Sequence, residues 1–261
     1  MQETERNPFM EFLEALRTRS TEAPDDTTSS TPTTSETLRA CGLDNIDCPI
    51  CGNTGTILYK KDDGATYGKE CECMATRRSM RRIARSNMSD MLSRYTFDTY
   101  EIPDAERAAI KGKAKSFVKA DSGWFFLFGR SGSGKTHICT AICKAFIERG
   151  KDTYYMAWRD ESRNLKSLIN TDEIEKPLNR LKRVPVLYID DFFKGSCNEA
   201  DIRLAFEILN ARYNDARLRT IISSELGIRK ILELDEALGS RIYERSKGYV
   251  IQAPDDNWRL R

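Results

Sequence analysis

Short apolar runs alternate with amphipathic segments from about residue 95 onward. The runs are GWFFLFG, TYYMAW, VLYID, TIISS and YVIQA, and each has the length of a buried strand. Between them lie segments with helical spacing of apolar residues, such as THICTAICKAFIER, which ends at Gly150. Strands that alternate with helices are typical of a mostly parallel sheet with helices on both faces. The pattern predicts a three-layer α/β domain over residues 95–261, built on a five-stranded sheet.

The first 40 residues have a different pattern. Residues 1–19 carry Phe9, Phe12, Leu13 and Leu16 at helical spacing, which predicts a short amphipathic helix. That helix either docks on a partner or folds back onto its own domain. Residues 20–40 are dominated by Ser, Thr, Pro and acidic residues, and we expect a flexible linker there because such a segment buries little apolar surface.

Residues 41–94 combine a cysteine-rich module with a basic helix. One face of the predicted helix is apolar, with Met80, Ile83, Ala84, Met88 and Met91. Arginines occupy the other faces, at Arg77, Arg78, Arg81, Arg82 and Arg85. They fit three roles about equally: contacts with phosphates, contacts with an acidic protein surface, or solvation of a linker helix.

The sequence GRSGSGKT matches the phosphate-binding pattern G-x-x-x-x-G-K-[ST], between a predicted strand and a predicted helix. Backbone N–H groups of such a loop surround phosphate oxygens at the positive end of the helix. Lys135 is expected to reach the β and γ phosphates, and the Thr136 hydroxyl to ligate Mg²⁺. The predicted nucleotide-binding residues are Gly129, Arg130, Ser131, Gly132, Ser133, Gly134, Lys135, Thr136 and His137. For His137, a packed or solvent-facing role is favoured over a catalytic one.

A second acidic site is predicted at the end of the strand in VPVLYIDDFF. Asp190 is the expected magnesium-side carboxylate, and Asp191 is the candidate general base for the attacking water. Two adjacent carboxylates repel each other unless a cation is near, although a surface turn is the simpler alternative. No N-K-x-D segment follows a later strand, so adenine is favoured over guanine, and ATP/ADP is the expected nucleotide.

Polar groups follow the strand in TIISSEL, where they could sense the γ phosphate. The candidates are Ser223, Ser224 and Glu225. Further on, Arg241 and Arg245 lie four residues apart on one predicted helix face, where solvated surface is the usual explanation. Arg259 and Arg261 lie at the end of the chain.

Cys48, Cys51, Cys71 and Cys73 have the spacing C-x2-C-x19-C-x-C, which suits four thiolates around a tetrahedral Zn²⁺. The only histidine is His137, so an all-cysteine site is expected. An iron–sulfur cluster and free thiols are the alternatives, and Cys41 could replace one ligand. The other cysteines, Cys139, Cys143 and Cys197, are expected to be ordinary core or surface residues.

Composition and net charge change this prediction little. The 261 residues include 42 basic and 40 acidic side chains, so the net charge of +2 gives no global field for nucleic acid. The amino-terminal residues lack the apolar core of a signal peptide, and no segment has the roughly 20 apolar residues of a membrane span. We therefore expect a cytoplasmic protein with reduced cysteines and no membrane contact.

In their order, GRSGSGKTHI, VLYIDDF, TIISSEL, GSRIYERS and a final NWR resemble the AAA+ ATPases of the bacterial DnaC/DnaI helicase-loader type, with the IstB transposition ATPases as close relatives. The resemblance covers residues 95–261. It implies that Arg245 is an arginine finger that completes a neighbouring subunit's ATP site through self-association, and that Arg259 is a sensor within the same subunit. An Asn is common where this chain has Glu225, so Ser224 is the expected substitute.

The resemblance also implies partners. A zinc-bearing amino-terminal domain would bind the replicative hexameric helicase. Trp158, Arg159 and Lys166 would approach single-stranded DNA by stacking and charge. Tyr95 and Phe97 would line the adenine pocket. The predicted function is ATP-dependent loading of the helicase onto DNA. The alternatives are an IstB-like helper of a transposase, a small-molecule kinase, and an adaptor that binds ATP without hydrolysing it.

Overall fold

A computed structural model describes residues 48, 50–60, 65–169, 171–195 and 197–258 of the chain. They form two compact units, which divide between Ala84 and Arg85. The predicted amino-terminal helix 1–19, the linker 20–40, Cys41 and the terminal arginines Arg259 and Arg261 lie outside the described residues. The domain limits expected at residues 41–94 and 95–261 stay a prediction.

The first unit contains a hairpin and a helix. Strands β1 (Thr56–Lys60) and β2 (Thr66–Glu70) pair antiparallel, and helix α1 (Cys73–Arg85) follows. Its small core consists of Cys48, Cys51 and Cys71, with Ile57 packed against them. A core of this size buries too little apolar surface to fold a chain segment by itself.

Two of the arginines predicted for the basic helix have structural partners in this unit. Arg77 is buried, and its Nη2 donates a hydrogen bond of 2.9 Å to Asn53 Oδ1. Arg78 pairs with Glu70 at 2.6 Å. The prediction of one continuous helical face is wrong, because α1 ends at Arg85, Asn87 has a left-handed φ of 63°, and the short helix α2 (Ser89–Arg94) begins after it.

The second unit is the predicted α/β domain. In chain order it contains α2, α3 (Ala105–Lys119), β3 (Trp124–Phe128), α4 (Lys135–Glu148), β4 (Thr153–Ala157), α5 (Trp158–Ser167), a 3₁₀ turn (Asp172–Ile174), α6 (Glu175–Arg183), β5 (Val186–Phe192), α7 (Glu199–Tyr213), β6 (Arg219–Ser224), α8 (Ile228–Leu234), α9 (Glu236–Arg245) and β7 (Val250–Gln252). The sheet order is β4-β5-β6-β3-β7, with every pair parallel. The predicted strands and fold class are confirmed.

Alternate residues of the strands face the two sides of the sheet, which gives the three layers. Phe126, Leu187 and Ile222 face a core that α5 to α9 complete. On the opposite face, Phe125 packs against Phe117 of α3 at a ring distance of 5.4 Å. Among the described residues, no helix is both long and apolar enough to cross a membrane.

Candidate ATP-binding site

The phosphate loop connects β3 to α4 at the carboxyl edge of the sheet. Gly134 has φ 87° and directs the chain into α4, whose first residue is Lys135. Gly132 has φ 81°, and a Cβ placed there would lie 1.9 Å from Asn257 Oδ1. Both positions therefore need glycine, one for its backbone conformation and the other for conformation and space together.

Lys135 points back into the loop. Its Nζ donates to the carbonyl oxygens of Gly129 at 2.8 Å and Arg130 at 2.7 Å. Burial lowers the pKa of Lys135, while the carboxylates of Asp191 and Glu225 act in the opposite direction. An ammonium group held by backbone carbonyls inside a phosphate-binding loop is placed to exchange them for phosphate oxygens.

Asp190 lies at the end of β5, beside the first turn of α4. Both of its carboxylate oxygens lie 3.3 Å from Thr136 Oγ1. The structure therefore brings together the two side chains that were predicted to hold Mg²⁺. Carboxylate and hydroxyl oxygens are suitable ligands for that ion.

Three hydroxyl groups also contact Asp190, and the sequence had singled out only one of them, that of Ser223, as a candidate γ-phosphate sensor. Tyr188 donates at 2.6 Å to Oδ1, Tyr155 donates at 3.2 Å to Oδ2, and Ser223 donates to Oδ1. Burial, followed by the charge of Asp190, raises the pKa of both tyrosines, so their hydroxyls stay protonated as donors. The sequence feature that could have identified Tyr188 is its spacing: Tyr188 precedes Asp190 by two residues, so the two side chains lie on the same side of the strand.

Asp191 lies at an irregularity within β5. The register against β6 shifts between Ile189 and Phe192, and Asp191 has a left-handed φ of 53°. Its N–H donates to Ser223 Oγ at 3.1 Å, while its carboxylate accepts a hydrogen bond of 2.9 Å from Lys194 Nζ. Lys194 also pairs with Glu225 at 3.1 Å. The sequence prediction missed Lys194.

Ser224, the predicted sensor, has both hydrogen-bonding functions occupied by backbone. Its buried hydroxyl donates to the carbonyl of Phe192 at 2.8 Å and accepts from the N–H of Leu226 at 3.0 Å. Ser223 is the serine that contacts the acidic site, and Glu225 is the polar group after β6 that remains partly exposed.

The segment predicted to line the adenine pocket packs against α4. The ring of Tyr95 lies 5.0 Å from the ring of His137, and His137 Nε2 lies 3.0 Å from the carbonyl oxygen of Thr96. Phe97 points elsewhere, with Lys115 Nζ 5.8 Å from its ring centre. Burial lowers the pKa of His137, which favours the neutral ring. His137 thus anchors the segment before the phosphate loop.

Arg245 lies at the other end of β3 from the phosphate loop. Its guanidinium carbon is 6.0 Å from the ring centre of Trp124, the first residue of that strand. Five strand residues span roughly 16 Å, more than an arginine side chain can bridge. Arg245 therefore does not reach the phosphates of its own chain. Its Nε is buried without a hydrogen-bond partner.

The residues that lead to Arg259 run along the phosphate loop. The N–H of Ala253 donates to the carbonyl of Phe128 at 2.7 Å, and the N–H of Trp258 donates to that of Gly132 at 3.1 Å. Arg107 fixes this segment through ion pairs with Asp104 and Asp256, and its guanidinium lies 4.9 Å from the Trp258 ring centre.

The predicted stacking role of Trp158 is wrong, because its ring is buried against Phe192 and Phe193 at distances of 4.9 and 5.3 Å. Lys166, expected near DNA, pairs with Asp201 at 2.5 Å.

In the first unit, the four predicted cysteines converge. Their sulfur atoms all lie within 4.8 Å of one another, with 3.8 Å between Cys48 and Cys71 and 3.6 Å between Cys51 and Cys73. A tetrahedral Zn²⁺ with Zn–S bonds near 2.3 Å separates its sulfurs by about 3.8 Å. Burial opposes ionisation of Cys51, but hydrogen bonds, first from the Gly55 N–H, lower its pKa to about 6. The donor set fits zinc.

The family model of the IstB-like ATP binding proteins matches residues 68–261. YqaM of Bacillus subtilis (strain 168) is 33% identical over 211 residues, which cover 75% of this chain and 66% of YqaM. The phage-like element PBSX protein XkdC of the same organism is 31% identical over 222 residues, 78% of this chain and 81% of XkdC. This chain thus spans about two thirds of YqaM.

Two solved structures share the fold. The DnaC helicase loader superposes with a TM-score of 0.52 at 23% identity, over 62% of this chain and 97% of that one. DnaI gives a TM-score of 0.52 at 21% identity, over 64% of this chain and 92% of its own. The family match and the assembled phosphate site lead to one conclusion: this chain belongs to the IstB-like ATP-binding proteins, and it is an ATPase with an AAA+ fold of the DnaC/DnaI type.

Proposed function

We propose that this ATPase binds a replicative hexameric helicase and delivers it to single-stranded DNA during replication initiation. The observation that carries the proposal is the structural match to the DnaC helicase loader over 97% of that chain. The cysteine unit supports it, since the chain carries this compact unit in addition to the ATPase unit. That unit would hold Zn²⁺ through four thiolates and present the helicase-binding surface.

ATP hydrolysis would use the groups assembled at the phosphate loop. Thr136 and Asp190 are the pair that would hold Mg²⁺, which neutralises phosphate charge when it is bound. Lys135 would contact the β and γ phosphates, and Asp191 would accept the proton of the attacking water. Tyr188, Tyr155 and Ser223 keep the Asp190 carboxylate oriented toward Thr136.

Self-association would complete this site. Arg245 lies at the edge of the sheet opposite its own phosphate loop. A group that acts on the ATP of a neighbouring subunit is expected in such a position, away from its own ATP. An arginine supplied in trans accelerates hydrolysis by on the order of 10³ to 10⁵. Arg259, which follows the segment that lies along the loop, would contact the γ phosphate within the same subunit.

The test measures phosphate release by the full chain, with and without a hexameric replicative helicase and single-stranded DNA. We expect slow hydrolysis alone and stimulation by the two partners together. Lys135→Ala and Arg245→Ala should each abolish stimulation, and a mixture of the two should recover part of it, because each supplies what the other lacks. Arg203→Ala, on an exposed i,i+4 pair with Glu199, is the control. Full stimulation of Arg245→Ala would contradict the role in trans.

The family match favours one alternative, a helper ATPase of a transposase. The two functions differ in partner while sharing the chemistry. A pull-down with the full chain separates them: retention of a hexameric helicase supports the loader, and retention of a transposase with no helicase supports the alternative.

A further inference from the structure

Lys194 is held above the acidic end of β5 by a tight turn. Asp191 and Phe193 have left-handed φ values of 53° and 57°, and the N–H of Lys194 donates to the carbonyl of Asp191 at 3.0 Å. This turn returns the lysine toward the strand end, where Nζ lies 2.9 Å from Asp191 and 3.1 Å from Glu225. One ammonium group therefore bridges two carboxylates that come from neighbouring strands.

The bridge is at the mouth of the phosphate loop. Asp191 follows Asp190 directly, and Asp190 contacts Thr136 of α4. Glu225 follows Ser224, whose carbonyl accepts the N–H of Gly129 at 3.0 Å. Burial lowers the pKa of Lys135, Asp191 and Glu225 raise it, and Lys194 lowers it, so all three charged groups act on the lysine of the phosphate loop.

The charges of these three side chains affect the binding of ATP. Asp191 and Glu225 would each repel a γ phosphate, and Lys194 is the cation that offsets them. The three side chains are 38%, 36% and 34% exposed, so an incoming phosphate can reach them. Burial opposes the charge of Lys194, but hydrogen bonds with the two carboxylates raise its pKa. The lysine is therefore cationic at neutral pH.

We propose that Lys194 is a catalytic residue of this ATPase: it pairs with Asp191 and Glu225 before ATP binds, and its ammonium group moves to a γ-phosphate oxygen when ATP is present. A flexible four-carbon stem allows such a shift without movement of the backbone. The transfer frees the Asp191 carboxylate, while Glu225 keeps Lys194 beside the phosphate as a positioning residue. The inference rests on the ATPase activity and on the proposed role of Asp191, but not on the helicase.

The hydrolytic step then balances within the site. The oxygen of water bonds to the γ phosphorus, its proton passes to Asp191, and the bond from the γ phosphorus to the bridging oxygen breaks with its electron pair on ADP. Lys194 stabilises the charge on the equatorial oxygens during this step. The products are ADP and inorganic phosphate, and Asp191 later releases its proton to solvent.

The experiment compares binding of ADP and of a non-hydrolysable ATP analogue to the full chain, together with the rate of hydrolysis. For Lys194→Gln we expect about tenfold weaker binding of the analogue, unchanged binding of ADP, and hydrolysis slowed about tenfold or more. Lys194→Arg should restore most of the preference for the analogue, because it restores the charge. Lys230→Gln removes the lysine of an exposed i,i+3 pair with Glu233 and is the matched control.

Two results overturn the inference. The first is that Lys194→Gln binds the analogue as tightly as the parent chain does. The second is that Lys194→Gln hydrolyses ATP faster than the parent, because Lys194 would then only inhibit Asp191. Thermal unfolding of Lys194→Gln and Lys194→Arg shows whether each variant keeps the fold. If Lys194→Gln is misfolded, the binding and hydrolysis of Lys194→Arg and Glu225→Gln test the inference. Glu225→Gln should weaken analogue binding less than Lys194→Gln does. A parent chain that binds no nucleotide would overturn the ATP site itself, whereas failure to bind helicase would leave these measurements intact.

Discussion

At the scale of single residues, His137 shows how packing sets a charge state. Its ring lies between Tyr95 and Tyr100, with Nε2 directed at the carbonyl of Thr96. Burial lowers its pKa, and the Thr96 carbonyl and Glu101 compensate only in part. Neutral imidazole is therefore the form that fits the native site, and protonation opposes folding.

This gives a prediction for pH dependence. The unfolded chain binds the histidine proton at a higher pH than the native chain does, so the free energy of unfolding should fall as pH decreases through about 6.5 toward 5. Because the chain has one histidine, its ring proton gives a single NMR titration curve. We expect a native midpoint below that of the urea-unfolded chain.

The control for this prediction is His137→Gln, which keeps a donor for the Thr96 carbonyl but does not titrate. Its unfolding free energy should depend less on pH than that of the parent between pH 7 and 5. A native midpoint above the unfolded one, or equal pH slopes for the two proteins, would contradict the assignment.

At the scale of elements, the glycine at position 132 makes the phosphate loop and the carboxyl-terminal segment interdependent. A methyl group there meets Asn257, and φ 81° disfavours alanine by itself. We expect Gly132→Ala to reduce the free energy of unfolding by about 2 kcal/mol or more and to weaken ATP binding. Chemical denaturation and nucleotide titration measure the two effects.

Gly248→Ala separates the cost of backbone strain from the cost of a steric clash such as the one with Asn257. Gly248 has a similar φ of 84°, but nothing lies within 4 Å of an added Cβ. It should cost only the backbone strain, of order 1 kcal/mol, and leave nucleotide binding unchanged. Adding Asn257→Ala to Gly132→Ala should recover part of the lost stability. Equal losses for the two glycine variants would show that Asn257 does not restrict the loop.

The elements also show what could be read from sequence. The five strands and the helix after the phosphate loop were predicted correctly, because their apolar runs and glycine spacing are local signals. The contacts of Asp190 with Tyr155 and Ser223 were not predicted, because they depend on which strands are neighbours. Lys194 was missed because a register shift and two left-handed residues orient it. Trp158 was misassigned because an aromatic residue after a strand fits a core as well as a binding surface.

At the scale of the whole molecule, the cysteine unit and the ATPase unit should respond differently to metal removal. The first unit has cysteines where a larger domain has an apolar core, so Zn²⁺ would supply most of its folding free energy. We expect about one zinc ion per chain by metal analysis. A chelator should unfold the first unit while ATP binding by the second persists.

Matched cysteine variants sharpen this test. Cys48→Ser with Cys51→Ser should lose the zinc, whereas Cys197→Ser should retain it, since Cys197 lies in the other unit. Cys139 and Cys143 are buried in α4, where burial raises the pKa of each thiol well above its usual range. Zinc retained after the double substitution would contradict the four-thiolate site.

The contact between Trp258 and the phosphate loop has an optical consequence. Of the three tryptophans, Trp124 and Trp158 are buried in the core, while Trp258 is partly exposed and bonded through its backbone to Gly132. Any rearrangement of the loop around a nucleotide changes the surroundings of this one indole. The intrinsic fluorescence of the unlabelled protein should therefore change when a nucleotide binds. Trp258→Phe gives the spectrum of Trp124 and Trp158 alone, which should not change on binding.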